Sequence, residues 1–153
     1  ALFPNHQDYY ALNGAHLTVA NDCFLCHAGD YNNTQNTCFA CHTTDYNNTT
    51  NPAHAPAQFS TDCESCHTEI AWAPSTFDHD NQYFPIYSGE HQGEWTLCSE
   101  CHTEPSNYSV FSCILCHEHN LTDMADEHSD VTDYVYNSTS CLACHPTGTA
   151  SDD

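Results

Sequence analysis

Residues 98–117 read CSECHTEPSNYSVFSCILCH, and they hold two copies of one short pattern: Cys98-Ser99-Glu100-Cys101-His102 and Cys113-Ile114-Leu115-Cys116-His117. Working outward, the same Cys-x-x-Cys-His pattern recurs at Cys23-Cys26-His27, Cys38-Cys41-His42, Cys63-Cys66-His67 and Cys141-Cys144-His145. These six units use all 12 cysteines, with none left over.

The pattern is that of c-type haem attachment. Two thiols one short turn apart reach the two vinyl groups of a single porphyrin, and the next residue sets an imidazole beneath the iron. Two other chemistries use paired cysteines. Zinc ribbons do, but a four-cysteine zinc site has no need of His directly after the pair. Disulfide frameworks also give an even cysteine count, again with no rule about His. With 13 His in 153 residues, six in six by chance has odds of roughly one in a few million. The composition therefore implies six covalently bound haem c groups, with iron ligated by His27, His42, His67, His102, His117 and His145.

The order of the motifs carries a duplication. Successive first cysteines are separated by 15, 25, 35, 15 and 28 residues, so each half has a short gap followed by a longer one. Histidines outside the motifs repeat too. His16 and His91 each lie seven residues before a first cysteine, Cys23 or Cys98, and His54 and His128 each fall between the second and third motifs of their half. His6 and His79 each follow a Phe (Phe3, Phe77) and precede an aromatic pair, Tyr9-Tyr10 or Tyr83-Phe84. This predicts one haem-cored domain made of two tandem three-haem modules, approximately 1–73 and 74–153. His6, His16, His54, His79, His91 and His128 are the second axial ligands, one for each iron. His119 has no counterpart in the first half and reads as a non-ligand. Met124 is a further candidate axial group that the histidine supply makes unnecessary.

Composition narrows the function. There is no Lys or Arg beside 21 Asp and Glu, a formal charge of −21, which argues against nucleic acid and against anionic membrane surfaces. Mean hydropathy is −0.58, and no apolar run approaches the roughly 20 residues of a membrane span. No basic segment precedes an apolar one, so the expectation is a chain whose signal peptide has been removed. Haem attachment of this kind takes place outside the cytoplasmic membrane, which implies an extracellular protein or, as the alternative, a periplasmic one. Sequons at Asn32, Asn47, Asn48, Asn107, Asn120 and Asn137 hint at a glycosylated exterior.

About 25 residues per haem are too few for a large side-chain core. The expected fold is mostly coil with short α-helices at the motifs and almost no β-sheet, a multihaem cytochrome c architecture. Its interior is porphyrin packed by Phe24, Leu25, Phe39, Phe84, Trp95, Phe111, Ile114, Leu115 and Leu142. Segments Tyr31 to Thr37 and Thr44 to Pro52 read as exposed loops.

Three stretches give the chain a family likeness: Phe77-Asp78-His79 through Tyr83-Phe84 to Gly89-Glu90-His91 and Cys98–His102; His54-Ala55-Pro56-Ala57-Gln58-Phe59 into Cys63–Thr68; and Trp72-Ala73-Pro74 before Phe77. On these it resembles the multihaem c-type cytochromes exported by metal-reducing and sulfate-reducing microbes, including those that form filaments. In such proteins the His after Phe and the His after Gly-x bind iron, which the resemblance carries onto His6, His16, His79 and His91. It departs from them in lacking Lys and Arg, since many soluble members are Lys-rich. The resemblance implies electron transfer through bis-histidine haems, as the repeating subunit of an end-to-end conductive filament that exchanges electrons with other redox proteins or an extracellular acceptor. The alternatives are a soluble periplasmic shuttle or a subunit of a larger cytochrome complex. A multihaem reductase is less favoured, because such enzymes need one five-coordinate iron and some use Lys to hold it. No catalytic residues are expected.

Overall fold

A computed structural model describes residues 5–117 and 120–149; His119 lies outside the described residues. Secondary structure is sparse. Six short α-helices, α1 (Phe24–His27), α2 (Cys38–Asn48), α3 (His54–Ala57), α4 (His79–Gln82), α5 (Leu121–Glu127) and α6 (Ser138–Cys144), are interspersed with 3-10 segments, and no strand is present among the described residues. Every α-helix is shorter than the roughly 12 residues at which an isolated helix becomes marginal in water. Local devices fix their ends instead. Asp78 accepts from the Asn81 N–H at the start of α4, Asn120 from Thr122 and Asp123 at α5, and Asn137 from Ser140 at α6. At the other end, α1 and α3 stop on left-handed residues, Ala28 (φ 46°) and Gln58 (φ 54°).

Five of the six Cys-x-x-Cys-His motifs begin in or beside a helix or 3-10 turn, and the Cys113 motif forms a turn closed by the Cys116 and His117 N–H groups on the Cys113 carbonyl. Tyr31 to Thr37 is loop, as its composition predicts. Thr44 to Pro52 is not all loop, because α2 continues through Asn48. Thr, Asp and Asn are weak helix formers, which is why this stretch reads as coil. Tertiary contacts override that preference: Tyr46 packs edge-on against Phe39 at 5.2 Å and donates its hydroxyl to the Phe59 carbonyl at 2.6 Å. The helix is kinked at His42, whose φ and ψ of −100° and 21° are not helical.

The chain divides into two compact units, one formed by Ala1–Thr49 and Phe59–Phe77, the other by Thr50–Gln58 and Asp78–Asp153. In the first, the Ala15 N–H donates to the Glu69 carbonyl (2.8 Å) and Thr76 N–H to the Cys66 carbonyl (2.7 Å). Gly14, at φ 51°, makes that approach: a Cβ there would stand 2.2 Å from the Glu69 oxygen. In the second unit, Asn51 accepts from the Cys98 N–H, the Tyr108 hydroxyl accepts from Ala53 N–H, and Ser138 Oγ accepts from Cys113 N–H. Ser112 N–H donates to the Cys101 carbonyl at 3.1 Å, repeating the Thr76–Cys66 bond of the first unit.

Side chains supply almost no core. Among the described residues only Met124 is buried, while Phe24, Leu25 and Leu115 are 64%, 65% and 70% exposed. The accessible surface is 11483 Å². A compact protein of 17.1 kDa exposes about 7,700 Å², so the polypeptide exposes roughly half as much again. No helix among the described residues is long and apolar enough to cross a membrane.

Candidate functional site

The histidines come together in twos. In the first unit His6 faces His27 with ring centres 6.1 Å apart, and His16 faces His42, also at 6.1 Å. In the second unit the pairs are His79 with His102 at 6.3 Å, His91 with His117 at 5.8 Å, and His128 with His145 at 6.3 Å. Each pair joins one motif histidine to one histidine from outside the motifs. The pairing follows the duplication: His6 and His79 meet the first motif of their half, His16 and His91 the second. His54 belongs to the second unit and His67 to the first.

Ring orientation is set at Nδ1. The Tyr10, Pro52, Trp72, Phe84, Met124 and Thr149 carbonyls accept from His6, His54, His67, His79, His128 and His145, at 2.6–3.1 Å. Thr34 Oγ1 donates its own proton to the Asp30 carbonyl and so accepts from His27 at 2.6 Å. His42 donates to Asp45 Oδ2 at 2.7 Å. Because each acceptor is an oxygen, Nδ1 is the donor, and in the neutral ring Nε2 then carries the lone pair that can ligate a metal. Nδ1 of His16, His91 and His102 is buried without a hydrogen-bond partner. Burial also pushes the His102 pKa below its ordinary value, with the Val110 and Tyr108 backbone pulling weakly the other way.

Aromatic rings enclose these pairs. Tyr31 stacks on His27, Trp95 on His91 and Tyr134 on His128, at 4.7, 5.1 and 4.5 Å. Trp72 meets both His42 and His67 edge-on, at 5.0 and 5.2 Å. Tyr10 and Phe84 occupy equivalent places in the two halves. Each gives its carbonyl to the first histidine of its half and its ring to the second, His16 at 6.2 Å or His91 at 5.1 Å. The aromatic pair was visible in sequence, but its double use was not.

No disulfide joins any of the twelve cysteines. Burial pushes the Cys98, Cys101 and Cys113 thiols above their ordinary value. No group of three or more His, Cys, Asp or Glu is placed to hold a metal ion among the described residues. Beside Cys116, a cavity of about 580 Å³ is lined by His91, Glu94, Trp95, Glu100, Leu115 and His117, within the range of small-cofactor sites. A smaller one of about 90 Å³ lies against His16, His42 and Trp72. The six sequon asparagines are exposed, and two of them, Asn120 and Asn137, also cap helices. Compared with known protein families, curated proteins and solved structures, the chain matches none.

Proposed function

We propose that the chain binds six covalent haem c groups and transfers electrons through them. The observation that carries this reading is the separation of the paired rings. Two metal–nitrogen bonds of about 2 Å, with about 1.1 Å from each nitrogen to its ring centre, put two axial imidazoles about 6.2 Å apart. The five pairs span 5.8–6.3 Å. Two further features fit. A two-histidine site completes an iron only if a planar macrocycle supplies the other four positions, and each pair contains the histidine of a Cys-x-x-Cys-His motif. A chain with so little side-chain core also has apolar faces, Phe24, Leu25 and Leu115 among them, for porphyrin to cover.

Haem iron supplies one-electron chemistry, cycling between ferric and ferrous. The residues of the chain hold and tune it. The cysteine pairs would anchor the haems, and each of the five histidine pairs would give its iron two imidazole ligands. At His6, His27, His42, His79, His128 and His145 the Nδ1 acceptors hold the ring's angle. This favours electron transfer over bond-making catalysis, and it puts the mature chain outside the cytoplasmic membrane. A haemochrome assay should return six haems per chain, all low-spin by electron paramagnetic resonance. Fewer than six, or stoichiometric carbon monoxide binding to the reduced protein, would overturn the reading.

Within it, we propose that copies join end to end as an extracellular filament. Histidine pairs occur in both halves of the sequence, between His6 and His145, as a chain of redox groups requires. One observation favours the second reading, a discrete carrier or complex subunit. His6 pairs with His27 of its own chain, so no ligand needs to be lent to a neighbouring copy. Electron microscopy of the natively secreted protein separates the two: ordered filaments of uniform width support the first, small discrete particles the second.

A further inference from the structure

We propose that Thr34 is a positioning residue that holds the His27 ring crosswise to His6 and so sets the electronic state of the haem on Cys23 and Cys26; this rests on the haem reading above. The two rings stand at 82° to one another, close to perpendicular. Each is tethered at Nδ1, His6 by the Tyr10 carbonyl at 2.9 Å and His27 by Thr34 Oγ1 at 2.6 Å. The Thr34 hydroxyl has one proton, and it goes to the Asp30 carbonyl at 2.9 Å, so toward His27 the oxygen can only accept.

A short turn brings Thr34 back to the ring. Asp30 N–H donates to the His27 carbonyl, and the Asp30 carboxylate accepts from the Asn32 and Asn33 N–H groups and from Asn33 Nδ2. Asp30 thereby shapes the turn, and its carbonyl orients the hydroxyl that orients the ring. Tyr31, inside the turn, stacks on the same ring at 4.7 Å and 27°. Stacking restrains tilt, whereas the hydrogen bond fixes where Nδ1 points. The crossing matters because imidazole is a weak π donor. Two parallel rings would donate into the same iron d orbital, split it from its partner and stabilise the ferric hole. Crossed rings raise one orbital each, which keeps the two nearly level and gives the ferric state less of that stabilisation.

The test compares Thr34→Ala with Thr34→Ser in the fully haem-loaded protein. In the wild type, the methyl hyperfine shifts of the ferric haem on Cys23 and Cys26 should be narrowly spread, with a large-gmax signal in paramagnetic resonance. T34A frees the ring, so that spread should widen and one haem's spin should pass from the large-gmax to the rhombic signals. In a redox titration, where an electrode supplies the one electron, the ferrous-to-ferric ratio of that haem at fixed potential should fall by up to about tenfold, equivalent to about 59 mV. T34S keeps the acceptor and should restore all three readouts. Asn32→Gln, which removes the sequon but not the hydroxyl, should match the wild type. Unmoved shifts in T34A would mean that stacking alone holds the ring, and would overturn the proposal. So would T34S or N32Q behaving like T34A. Should T34A load fewer than six haems, the wild type decides: the His27 Nδ1 proton must exchange slowly and show a nuclear Overhauser contact to Thr34, and the absence of that contact refutes the idea. A wild-type protein with no Soret band fails the haem reading itself, before any variant is compared.

Discussion

Replacing Gly148 with alanine tests how tightly the chain grips one of its histidines. Gly148 adopts φ 74°, and a Cβ built on it would stand 2.5 Å from His91 Cε1, 2.7 Å from Nδ1 and 2.9 Å from Phe84 Cζ. Carbon atoms in good contact sit about 3.5–4.0 Å apart, so the ring or the turn must retreat by about 1 Å. His91 has little room to do so, since it stacks at 9° on Trp95 and faces His117 at 5.8 Å. The left-handed backbone adds about 1–2 kcal/mol for an L-residue, and overpacking about 1–3 kcal/mol. We therefore expect G148A to lose about 2–5 kcal/mol. Gly93→Ala is the control, because Gly93 has a similar φ of 83° with nothing within 4 Å of its would-be Cβ. It should lose only the backbone part, and the difference between the variants isolates the clash. Denaturant unfolding followed by circular dichroism gives the energies. Paramagnetic resonance then asks whether one haem in six turns high-spin, as it must if His91 gives way. Equal losses in G148A and G93A, with every haem still low-spin, would refute the packing argument.

Other expectations follow from single contacts. His6→Ala should leave one haem five-coordinate and able to bind carbon monoxide, and the stoichiometry should not change with protein concentration; concentration dependence would instead mean ligation between copies. Asp80 accepts from Ile86 N–H, Tyr87 N–H and Ser88 Oγ, and the Tyr87 bond foremost holds its carboxyl below the ordinary 3.8. A depressed folded value gives stabilisation that is present above the unfolded value and fades as pH falls through the folded one. The Ile86 and Tyr87 amides should therefore stay protected from hydrogen exchange down to about pH 3.8 and lose protection below it; Asp80→Asn should remove that acid step. At −21, copies repel at low salt and should associate more as the screening length falls from about 30 Å at 0.01 M to about 8 Å at 0.15 M. Light scattering indifferent to salt would show that this charge does not restrain assembly.

The Cys-x-x-Cys-His motifs and their repeated spacing are legible in the sequence because that pattern is local. So is the scarcity of regular structure, since Asn, Asp, Thr and Pro interrupt every segment. What was not legible depends on contacts between distant segments. The second half of α2 is one case: its Thr, Asp and Asn residues read as loop, and only Tyr46 reaching Phe59 turns them into helix. Which histidine meets which motif is another, because spacing supplies candidates without saying where each folds back. The Nδ1 partners divide the same way. Asp45 bonds a ring three residues away, whereas Asp30, equally spaced from His27, turns into its own loop and leaves that ring to Thr34. Trp72 between His42 and His67 had no local signal at all.

Six of the described histidines orient themselves against main-chain carbonyls. Every residue type carries that acceptor, so a substitution at Tyr10 or Thr149 leaves it standing unless the backbone itself moves. The information that aims these rings is therefore written in the path of the chain, and the side chains around them are released to answer to other demands. A surface can then lose every lysine and arginine, and turn wholly acidic, without any of those six rings losing its bearing.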